Sequence, residues 1–348
     1  MNPYVLMVLL SSLGLGTTLT FASSHWLLAW MGLEINTLAI VPLMAQHHHP
    51  RAVEATTKYF LIQATAAAMI LFAGTTNAWI SGEWDMSNMS SPIAATMIMI
   101  ALALKIGLAP MHFWMPEVLQ GLDLMTGLIL STWQKLAPLA LVIQMAQAVD
   151  PLLLTTLGLM STLAGGWGGL NQTQLRKVLA YSSIAHMGWM IIVLQYAPPL
   201  TLLALGTYIF MTSAAFFTLK LASTTKISTL TMVWTNSPAL VATTALVLLS
   251  LGGLPPLTGF MPKWLILQEM AKQGLPITAT IMALAALLSL YFYLRLCYAM
   301  TLTISPNTTN SFTPWRTQLT QSSMPLALST TIALGLLPVT PAILMLAT

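Results

Sequence analysis

The sequence predicts an all-α membrane protein that crosses the bilayer about eleven times. Of its 348 residues, 57% are hydrophobic and only 6% are charged, and the mean hydropathy is +0.80. Soluble domains carry about 25% charged residues. The composition therefore excludes a soluble enzyme and a disordered protein. The formal net charge of +4 is too small for a nucleic-acid-binding module, so we expect no nucleic-acid partner.

The chain shows no residues for redox chemistry or cofactor binding of its own. A single cysteine excludes a disulfide framework and any cysteine-based zinc or iron–sulfur site. The run His47-His48-His49 has no cysteine or carboxylate beside it, so we assign no metal to it. No nucleotide-binding fingerprint and no Ser-His-Asp spacing is visible. The sequence therefore predicts neither a resident cofactor nor a metal.

Eleven segments are long and apolar enough to span a membrane, which takes about 20 residues. The connections between them are short, the longest covering residues 301–322, so the chain is one polytopic membrane domain, 1–348, without a soluble domain. The predicted spans, in chain order, are 3–22, 25–45, 58–80, 92–121, 124–149, 151–170, 176–195, 200–222, 238–270, 275–300 and a C-terminal helix 323–346.

The placement of lysine and arginine predicts the orientation, because basic residues gather on the inner side. With the N-terminus inside, Lys272 is the basic residue left on the outer side, together with Glu83, Asp85 and Asp150. The inner loops and helix ends then hold Arg51, Lys58, Arg176, Lys177, Lys220, Lys226, Arg295 and Arg316. We therefore expect the N-terminus inside and the C-terminus outside. The start, Met1-Asn2-Pro3, leads directly into apolar sequence, so no cleavable targeting segment is expected.

Two of the predicted spans are too long for straight transmembrane helices. Segments 92–121 and 238–270 would each extend about 45–50 Å at 1.5 Å per residue, whereas the hydrocarbon core is about 30 Å thick. Both contain glycine and proline near the middle, around Pro110 and around Pro255-Pro256. Proline removes a backbone donor and disrupts the preceding turn. We predict that both helices are discontinuous.

The two broken segments resemble each other at an offset of 146 residues. Gly107 to Pro116 aligns with Gly253 to Pro262 without gaps, with Gly, Leu, Pro, Met and Pro identical. Each is the fourth span of a five-span block, counting 3–149 and 151–300. Since five is odd, the second block is inverted in the membrane relative to the first. Paired interrupted spans of this kind indicate an ion or substrate path near the bilayer midplane, although chance similarity between two apolar segments is the alternative.

Four charged residues lie inside predicted spans rather than at their ends. Glu34 and Lys135 are central, while Lys105 and Lys263 flank the two breaks. A charge at the bilayer centre costs about 2.5–3.5 kcal/mol. Such groups can take up and release protons near physiological pH. The four residues therefore suggest a proton path; structural ion pairs are the alternative, but one acid cannot pair three lysines.

Two histidines are weaker candidates for a proton relay. His186 lies near mid-span and His112 lies at the first break. A hydrogen-bonded core histidine would explain each equally well. Nearby hydroxyl groups that could carry a water chain, or simply pack helices together, belong to Tyr59, Ser131, Tyr181, Ser182 and Ser183.

Five motifs are distributed over the chain. They are Met1-Asn2-Pro3, Trp30-Met31-Gly32-Leu33-Glu34-Ile35-Asn36, Pro110-Met111-His112-Phe113-Trp114-Met115-Pro116-Glu117-Val118, Trp133-Gln134-Lys135-Leu136-Ala137-Pro138 and Gly252-Gly253-Leu254-Pro255-Pro256-Leu257-Thr258-Gly259-Phe260-Met261-Pro262-Lys263-Trp264. Together they closely resemble the antiporter-like membrane subunits of mitochondrial NADH–ubiquinone oxidoreductase, respiratory complex I, in their vertebrate form. The resemblance covers essentially the full chain.

The resemblance implies a location and a role. The chain would lie in the mitochondrial inner membrane with its N-terminus in the matrix and its C-terminus in the intermembrane space. It would translocate protons along Glu34, Lys105, Lys135 and Lys263, while NADH, FMN, iron–sulfur clusters and ubiquinone are bound in other subunits. Its partners would be other membrane-arm subunits, including neighbouring antiporter-like ones, and lipids such as cardiolipin. Full-length family members have fourteen helices, so this chain resembles the animal form that lacks the first three.

Two other function classes use similar features. An autonomous cation/proton antiporter would have the same inverted repeat and lysines, but no acidic pair for a cation site is visible. A passive channel would fit the broken helices, but a ring of pore-lining acids is missing. We therefore favour the complex I subunit.

Overall fold

The computed structural model describes residues 2–46, 49–86, 88–89, 91–303 and 323–347. In these residues every element is helical, apart from two isolated β-bridges that pair His25 with Asp85 and Gln174 with Lys226. The predicted all-α class is confirmed. Six described helical segments are long and apolar enough to cross a membrane, with Leu124–Met145 counted as one, or seven if the bent C-terminal pair also counts as one span. His47, His48 and Arg316, which entered the predictions above, lie outside the described residues.

The chain divides into two compact units, Met1–Ser161 and Thr162–Thr348. The helices of unit 1 are α1 (Pro3–Ala22), α2 (Trp26–Met44), α3 (Pro50–Ser81), α4 (Pro92–Ile106), α5 (Trp114–Gly121), α6 (Leu124–Ser131), α7 (Trp133–Met145) and the first part of α8 (Pro151–Gly169).

Unit 2 begins within α8. Its further helices are α9 (Leu175–Val193), α10 (Pro198–Leu221), α11 (Ile227–Thr231), α12 (Val233–Asn236), α13 (Pro238–Gly252), α14 (Phe260–Lys272), α15 (Pro276–Thr301), α16 (Met324–Gly335) and α17 (Thr340–Ala347). The short helices α11 and α12 fall between two predicted spans and were not predicted, because segments of five and four residues are too short for a hydropathy pattern.

Helix α3 begins eight residues before the predicted start at residue 58. Pro50 occupies its first turn, and the side chain of His49 accepts a hydrogen bond from the backbone N–H of Arg51 at 3.2 Å. Proline and a side-chain cap are typical helix starts. The hydropathy of the sequence did not reveal this earlier start, because residues 50–58 include the charged Arg51, Glu54 and Lys58.

Helices α1 and α2 pack with their backbones in close contact. A Cβ on Gly32 would lie 2.8 Å from the carbonyl oxygen of Gly16, and a Cβ on Gly16 would overlap the side-chain oxygen of Asn36. Small residues permit such close packing between membrane helices. The contact places Asn36 against α1 on one side of α2.

Both long predicted spans are discontinuous, as expected. Helix α4 ends at Ile106 and the chain resumes helical structure at Trp114, while α13 ends at Gly252 and α14 begins at Phe260. Both helices stop before a glycine with positive φ, 84° at Gly107 and 79° at Gly253, a conformation that glycine adopts without steric cost. The starts and ends of α4 and α13, and the restarts of α5 and α14, are all 146 residues apart.

One predicted span, 124–149, is interrupted at Thr132, between α6 and α7. The Thr132 hydroxyl donates to the Leu128 carbonyl at 2.7 Å, and the Lys135 N–H bonds to the Thr132 carbonyl at 3.3 Å over a tightened turn. Pro138 in α7 also lacks a backbone donor. A hydroxyl that competes for a helix carbonyl, followed by proline, favours such a break. Lys135 therefore lies in the first turn of α7.

The expectation of one C-terminal helix over 323–346 is wrong. The segment forms two helices, α16 and α17, joined by a 3-10 turn at Leu337–Val339 and bent by 63°. Pro338 lacks a backbone donor and disrupts the preceding turn, while Pro341 lies in the first turn of α17, where a new helix begins. Their effect outweighs the apolar composition that made the segment look continuous. The Thr258 hydroxyl, in the second break, donates to the Ala333 carbonyl of α16.

Candidate proton-translocation site

Unit 1 contains a small cavity that brings two of the predicted lysines together. Lys105 and Lys135 both line it. The other lining residues are Leu33, Asn36, Thr37, Tyr59, Gln63, Ile106, Trp114, Met115, Leu130, Gln134 and Pro138. The cavity is thus formed by α2, α3, α4, α5, α6 and α7, and it lies beside the first break and the interruption at Thr132.

Lys105 is buried in the last turn of α4 with 5% of its surface exposed. Its Nζ atom has no hydrogen-bond partner among the described residues, and no ion pair within 4.0 Å joins it to a described carboxylate. Its backbone carbonyl accepts a bond from Gln63 Nε2 at 3.4 Å. An unpartnered buried cation is costly, so purely structural ion pairing does not explain Lys105.

Lys135 is 2% exposed and is held by the turn that opens α7. Its neighbour Gln134 donates through Nε2 to the Asn36 carbonyl at 3.5 Å, which joins α7 to α2. Both polar side-chain atoms of Asn36 are buried without a hydrogen-bond partner in the described part of the chain. Buried polar atoms of this kind are commonly satisfied by internal water, so the cavity is suited to hold water beside Lys135.

Glu34 lies near this cavity, and no ion pair within 4.0 Å joins it to Lys105 in the described part of the chain. It is half-buried on α2, and its Oε2 atom accepts a hydrogen bond from the Thr37 hydroxyl at 3.0 Å. The carboxylate is within Coulomb range of Lys105 and of Tyr59. In the described residues, the close ion pairs instead belong to Lys58 and Lys272.

Unit 2 contains a second small cavity that brings Lys263 and His186 together. The remaining lining residues are Ser182, Ala185, Trp189, Ser289 and Tyr293. The rings of His186 and Tyr208 lie 5.5 Å apart, so α9, α10, α14 and α15 all contribute to the surroundings of the histidine. The predicted terminal lysine and the predicted relay histidine therefore share one cavity.

Lys263 is connected to the second break. Its Nζ atom donates to the carbonyl oxygen of Gly252 at 2.8 Å. That oxygen belongs to the last turn of α13, where helix carbonyls lack a partner within the helix. Together, Lys105, Lys135 and Lys263 all adjoin a place where a helix is interrupted.

The structure places His112 apart from both cavities. The residue is buried in the first break, with its ring 4.4 Å from that of Phe113, and lines neither cavity. Glu117, which aligns with Lys263 across the predicted repeat, instead accepts a bond from Lys58 at 2.9 Å, and Lys58 also pairs with Glu54 at 2.7 Å. This exposed group of charges ties α3 to α5.

Several uncharged polar residues of the cavities were missed by reasoning from the sequence. Asn36, Gln63 and Gln134 line the first cavity, while Ser289 and Tyr293 line the second. Counting charges cannot find them, because none of them is charged. An amide inside an apolar span is the signal that was available, since amides are expensive in the membrane unless they have partners.

Comparisons with known proteins are consistent with this architecture. Residues 23–289 match the family described as NADH:quinone oxidoreductase/Mrp antiporter, transmembrane, and residues 290–344 match the NADH dehydrogenase subunit 2 C-terminus. NADH-ubiquinone oxidoreductase chain 2 of Carassius auratus is 83% identical over 348 residues, which is 100% of both chains.

Two solved structures share the fold. A chain of respiratory complex I from Thermus thermophilus superposes with a TM-score of 0.87 at 27% identity, covering 99% of this chain and 80% of that one. A chain of the Mrp complex from Dietzia sp. gives 0.83 at 14% identity, covering 97% and 76%, and shows likeness of fold alone. Because the family models and the Carassius auratus relative together cover the chain from end to end, the chain belongs to the NADH-ubiquinone oxidoreductase chain 2 family.

Proposed function

We propose that this chain moves protons through the membrane arm of complex I along Glu34, Lys105, Lys135 and Lys263. The observation that carries the proposal is that the three lysines adjoin helix interruptions and line cavities that contain further polar side chains, within otherwise apolar helices. The chain is a membrane subunit of an NADH:ubiquinone oxidoreductase. Electron transfer, with NADH, FMN, iron–sulfur clusters and ubiquinone, takes place in other subunits.

The first steps involve the cavity of unit 1. A carboxylate that approaches an ammonium group stabilises the protonated form of the lysine. When the carboxylate moves away, the lysine gives up its proton more readily, because Coulomb energy depends on distance and on local dielectric. Glu34 is within Coulomb range of Lys105, so small displacements of Glu34 would load or unload Lys105. Water held by Asn36, Gln63 and the lysines would carry the proton from Lys105 to Lys135.

The later steps involve the cavity of unit 2. A proton from Lys135 passes through water and His186 to Lys263, and from there to the exit. His186 and Lys263 line the same cavity, which supports this order, and a neutral imidazole can accept a proton on one nitrogen while it releases one from the other. A relay at His112 remains a prediction from the sequence.

We place the chain in the mitochondrial inner membrane with the N-terminus in the matrix. In this arrangement it crosses the membrane about eleven times, as two inverted five-helix repeats, 3–149 and 151–300, and a C-terminal segment. The common spacing of 146 residues between the ends of α4 and α13 supports the repeat. Other membrane-arm subunits and lipids such as cardiolipin surround it.

An independent cation/proton antiporter is the second candidate, favoured by the fold likeness to the Mrp complex. A native gel of mildly solubilised membranes, stained for NADH oxidation and probed for this chain, separates the two. We expect co-migration with a very large NADH-oxidising band. Migration of all the chain alone or as a small oligomer would support the antiporter.

The proton path is tested by replacing Lys135 and Lys263 together with methionine in the assembled complex. Methionine keeps much of the side-chain volume but cannot carry a proton. We expect assembly on the native gel and fewer protons translocated per NADH oxidised. Lys272→Met is the matched control, because Lys272 is exposed and paired with Glu269. Unchanged proton translocation in the double variant would exclude the path.

A further inference from the structure

The second cavity is lined by two pairs of polar side chains from two helices. Ser182 and His186 are four residues apart on α9, and Ser289 and Tyr293 are four residues apart on α15. Side chains at this spacing share one face of a helix. Lys263, on α14, lines the cavity as well. The proposed path uses the histidine and the lysine and leaves the three hydroxyl groups without a role.

The two serine hydroxyl groups already donate their protons to their own helices. Ser182 donates to the Leu179 carbonyl at 2.8 Å, and Ser289 donates to the Ala286 carbonyl at 2.8 Å. A hydroxyl group carries one proton and two lone pairs. Both serines can therefore accept a hydrogen bond from a group in the cavity, but in this arrangement neither can donate one into it.

The Tyr293 hydroxyl is buried without such a bond. Tyr293 is 1% exposed, and its oxygen makes no hydrogen bond to a described residue. Ser182 is near this oxygen, but the two groups do not have hydrogen-bond geometry. A phenol both donates and accepts, and burial of an unpartnered hydroxyl group is costly. Of the hydroxyl groups that line the cavity, that of Tyr293 is thus the one able to donate to a further group there.

Tyr293 also lies against the second break. A Cβ on Gly252 would be 3.6 Å from the Cδ2 atom of Tyr293, so the tyrosine ring packs beside this glycine. The carbonyl of the same glycine accepts the 2.8 Å hydrogen bond from Lys263 Nζ. One residue of the break therefore adjoins both the tyrosine ring and the ammonium group.

The cavity has room for about one water molecule. A buried water makes about three hydrogen bonds to polar groups that otherwise lack partners. The Tyr293 hydroxyl can donate to such a water or accept from it, and the oxygen atoms of Ser182 and Ser289 can accept from it. The polar groups of the cavity thus suit a single water held beside Tyr293.

We propose that Tyr293 is a proton-relay residue that connects His186 to Lys263 through its hydroxyl group and one bound water. The inference deepens the proposed function and rests on it. Protonated His186 gives a proton to the water, the water gives one to the Tyr293 oxygen, and the original hydroxyl proton moves to the neutral amine of Lys263. One N–H bond breaks at the histidine and one forms at the lysine, while water and tyrosine keep their number of protons. Rotation of the hydroxyl group restores the starting arrangement.

The test is Tyr293→Phe in the assembled complex, which removes the hydroxyl group and keeps the ring beside Gly252. Tyr291→Phe is the matched control, because it makes the same change on the same helix at a position that is 60% exposed. We expect both variants to assemble and to melt at the temperature of the unaltered complex, since the Tyr293 hydroxyl bonds to no described residue. The number of protons translocated per NADH should fall in Tyr293→Phe alone, by as much as in Lys135→Met/Lys263→Met, because both changes interrupt one path.

A second measurement needs no variant. Electron cryo-microscopy of the unaltered complex, at a resolution that shows ordered water, should place a water within about 3 Å of the Tyr293 hydroxyl oxygen, which is the hydrogen-bond distance between two oxygen atoms. An empty cavity would overturn the proposal, because no group would then extend the relay from His186.

The variants separate failure of this inference from failure of the proposed function. Normal translocation in Tyr293→Phe, with impaired translocation in Lys135→Met/Lys263→Met, would remove Tyr293 from the path and leave the path in place. Normal translocation in both would exclude the path and the relay together. Loss of assembly or a lower melting temperature in Tyr293→Phe would show that the hydroxyl group has a structural partner, and would overturn the relay.

Discussion

The ammonium group of Lys263 caps α13 across the second break, donating a 2.8 Å hydrogen bond to the carbonyl of Gly252. A cation at a helix C-terminus is favoured by the helix dipole, and it satisfies an acceptor that the helix cannot. Lys263 therefore has a structural role in the break in addition to its proposed role in proton transfer. Substitutions can separate the two roles.

Lys263→Arg and Lys263→Met should differ in stability but not in proton translocation. Arginine can still donate to Gly252, but it stays protonated at any physiological pH. Methionine leaves the Gly252 carbonyl without its partner, which costs about 1–3 kcal/mol. We expect a lower thermal stability of the complex for Met than for Arg, and impaired proton translocation per NADH for both. Normal translocation with arginine would remove Lys263 from the proton path.

Lys105→Met should leave the stability of the complex unchanged or raise it. The Nζ atom of Lys105 is buried without a hydrogen-bond partner in the described structure, so its removal eliminates a cost rather than a bond. Proton translocation should nevertheless fall. Thermal melting of the complex and the proton-to-NADH ratio measure the two effects, with Lys272→Met as the control, because Lys272 is exposed and paired with Glu269. A marked loss of stability would instead show that Lys105 has a structural partner.

Gly259→Ala should prevent correct closure of the second break. A Cβ at this position would overlap the carbonyl oxygen of Ser250, and overpacking typically costs about 1–3 kcal/mol. We expect a reduced amount of assembled complex on a native gel. Gly206→Ala in α10 is the matched control, because a Cβ there meets nothing within 4 Å, and it should assemble normally. Equal assembly of both variants would contradict the packing at the break.

Tyr59→Phe tests whether the first cavity works as a polar path. Tyr59 is 2% exposed, lines the cavity and stacks at an angle on Trp114, with ring centres 5.8 Å apart. Phenylalanine keeps this packing and removes only the hydroxyl. We expect normal assembly with slower proton translocation, whereas Tyr291→Phe, at an exposed position, should have no effect. Wild-type rates for Tyr59→Phe would show that its hydroxyl is not needed.

The fold class and both breaks could be predicted from the sequence because their causes are local. Low charge content identifies a membrane chain, and Gly107 and Gly253 stop helices wherever they adopt positive φ. The interruption at Thr132 was not predicted, since a single threonine and a proline six residues later are individually compatible with a helix. The bend between α16 and α17 was missed because apolar composition was given more weight than Pro338 and Pro341.

The charged members of the candidate site could be found from sequence because they are rare in apolar spans. The way these residues group into two cavities could not be predicted, because it depends on contacts between distant segments of the chain. The sequence did not indicate that Lys105 shares a cavity with Lys135, or His186 with Lys263. In the structure, Glu34 accepts a hydrogen bond from the Thr37 hydroxyl, three residues along the same helix.

The close contact of α1 with α2 has a consequence for how remote positions act on the first cavity. Asn36 lines that cavity, and its side-chain oxygen rests where Gly16 of α1 lacks a side chain. Any added methyl group at Gly16 would push on Asn36, although Gly16 carries no charge and touches no lysine. A substitution at Gly16 would therefore reach the first cavity through Asn36, from a helix that contributes no lining residue of its own.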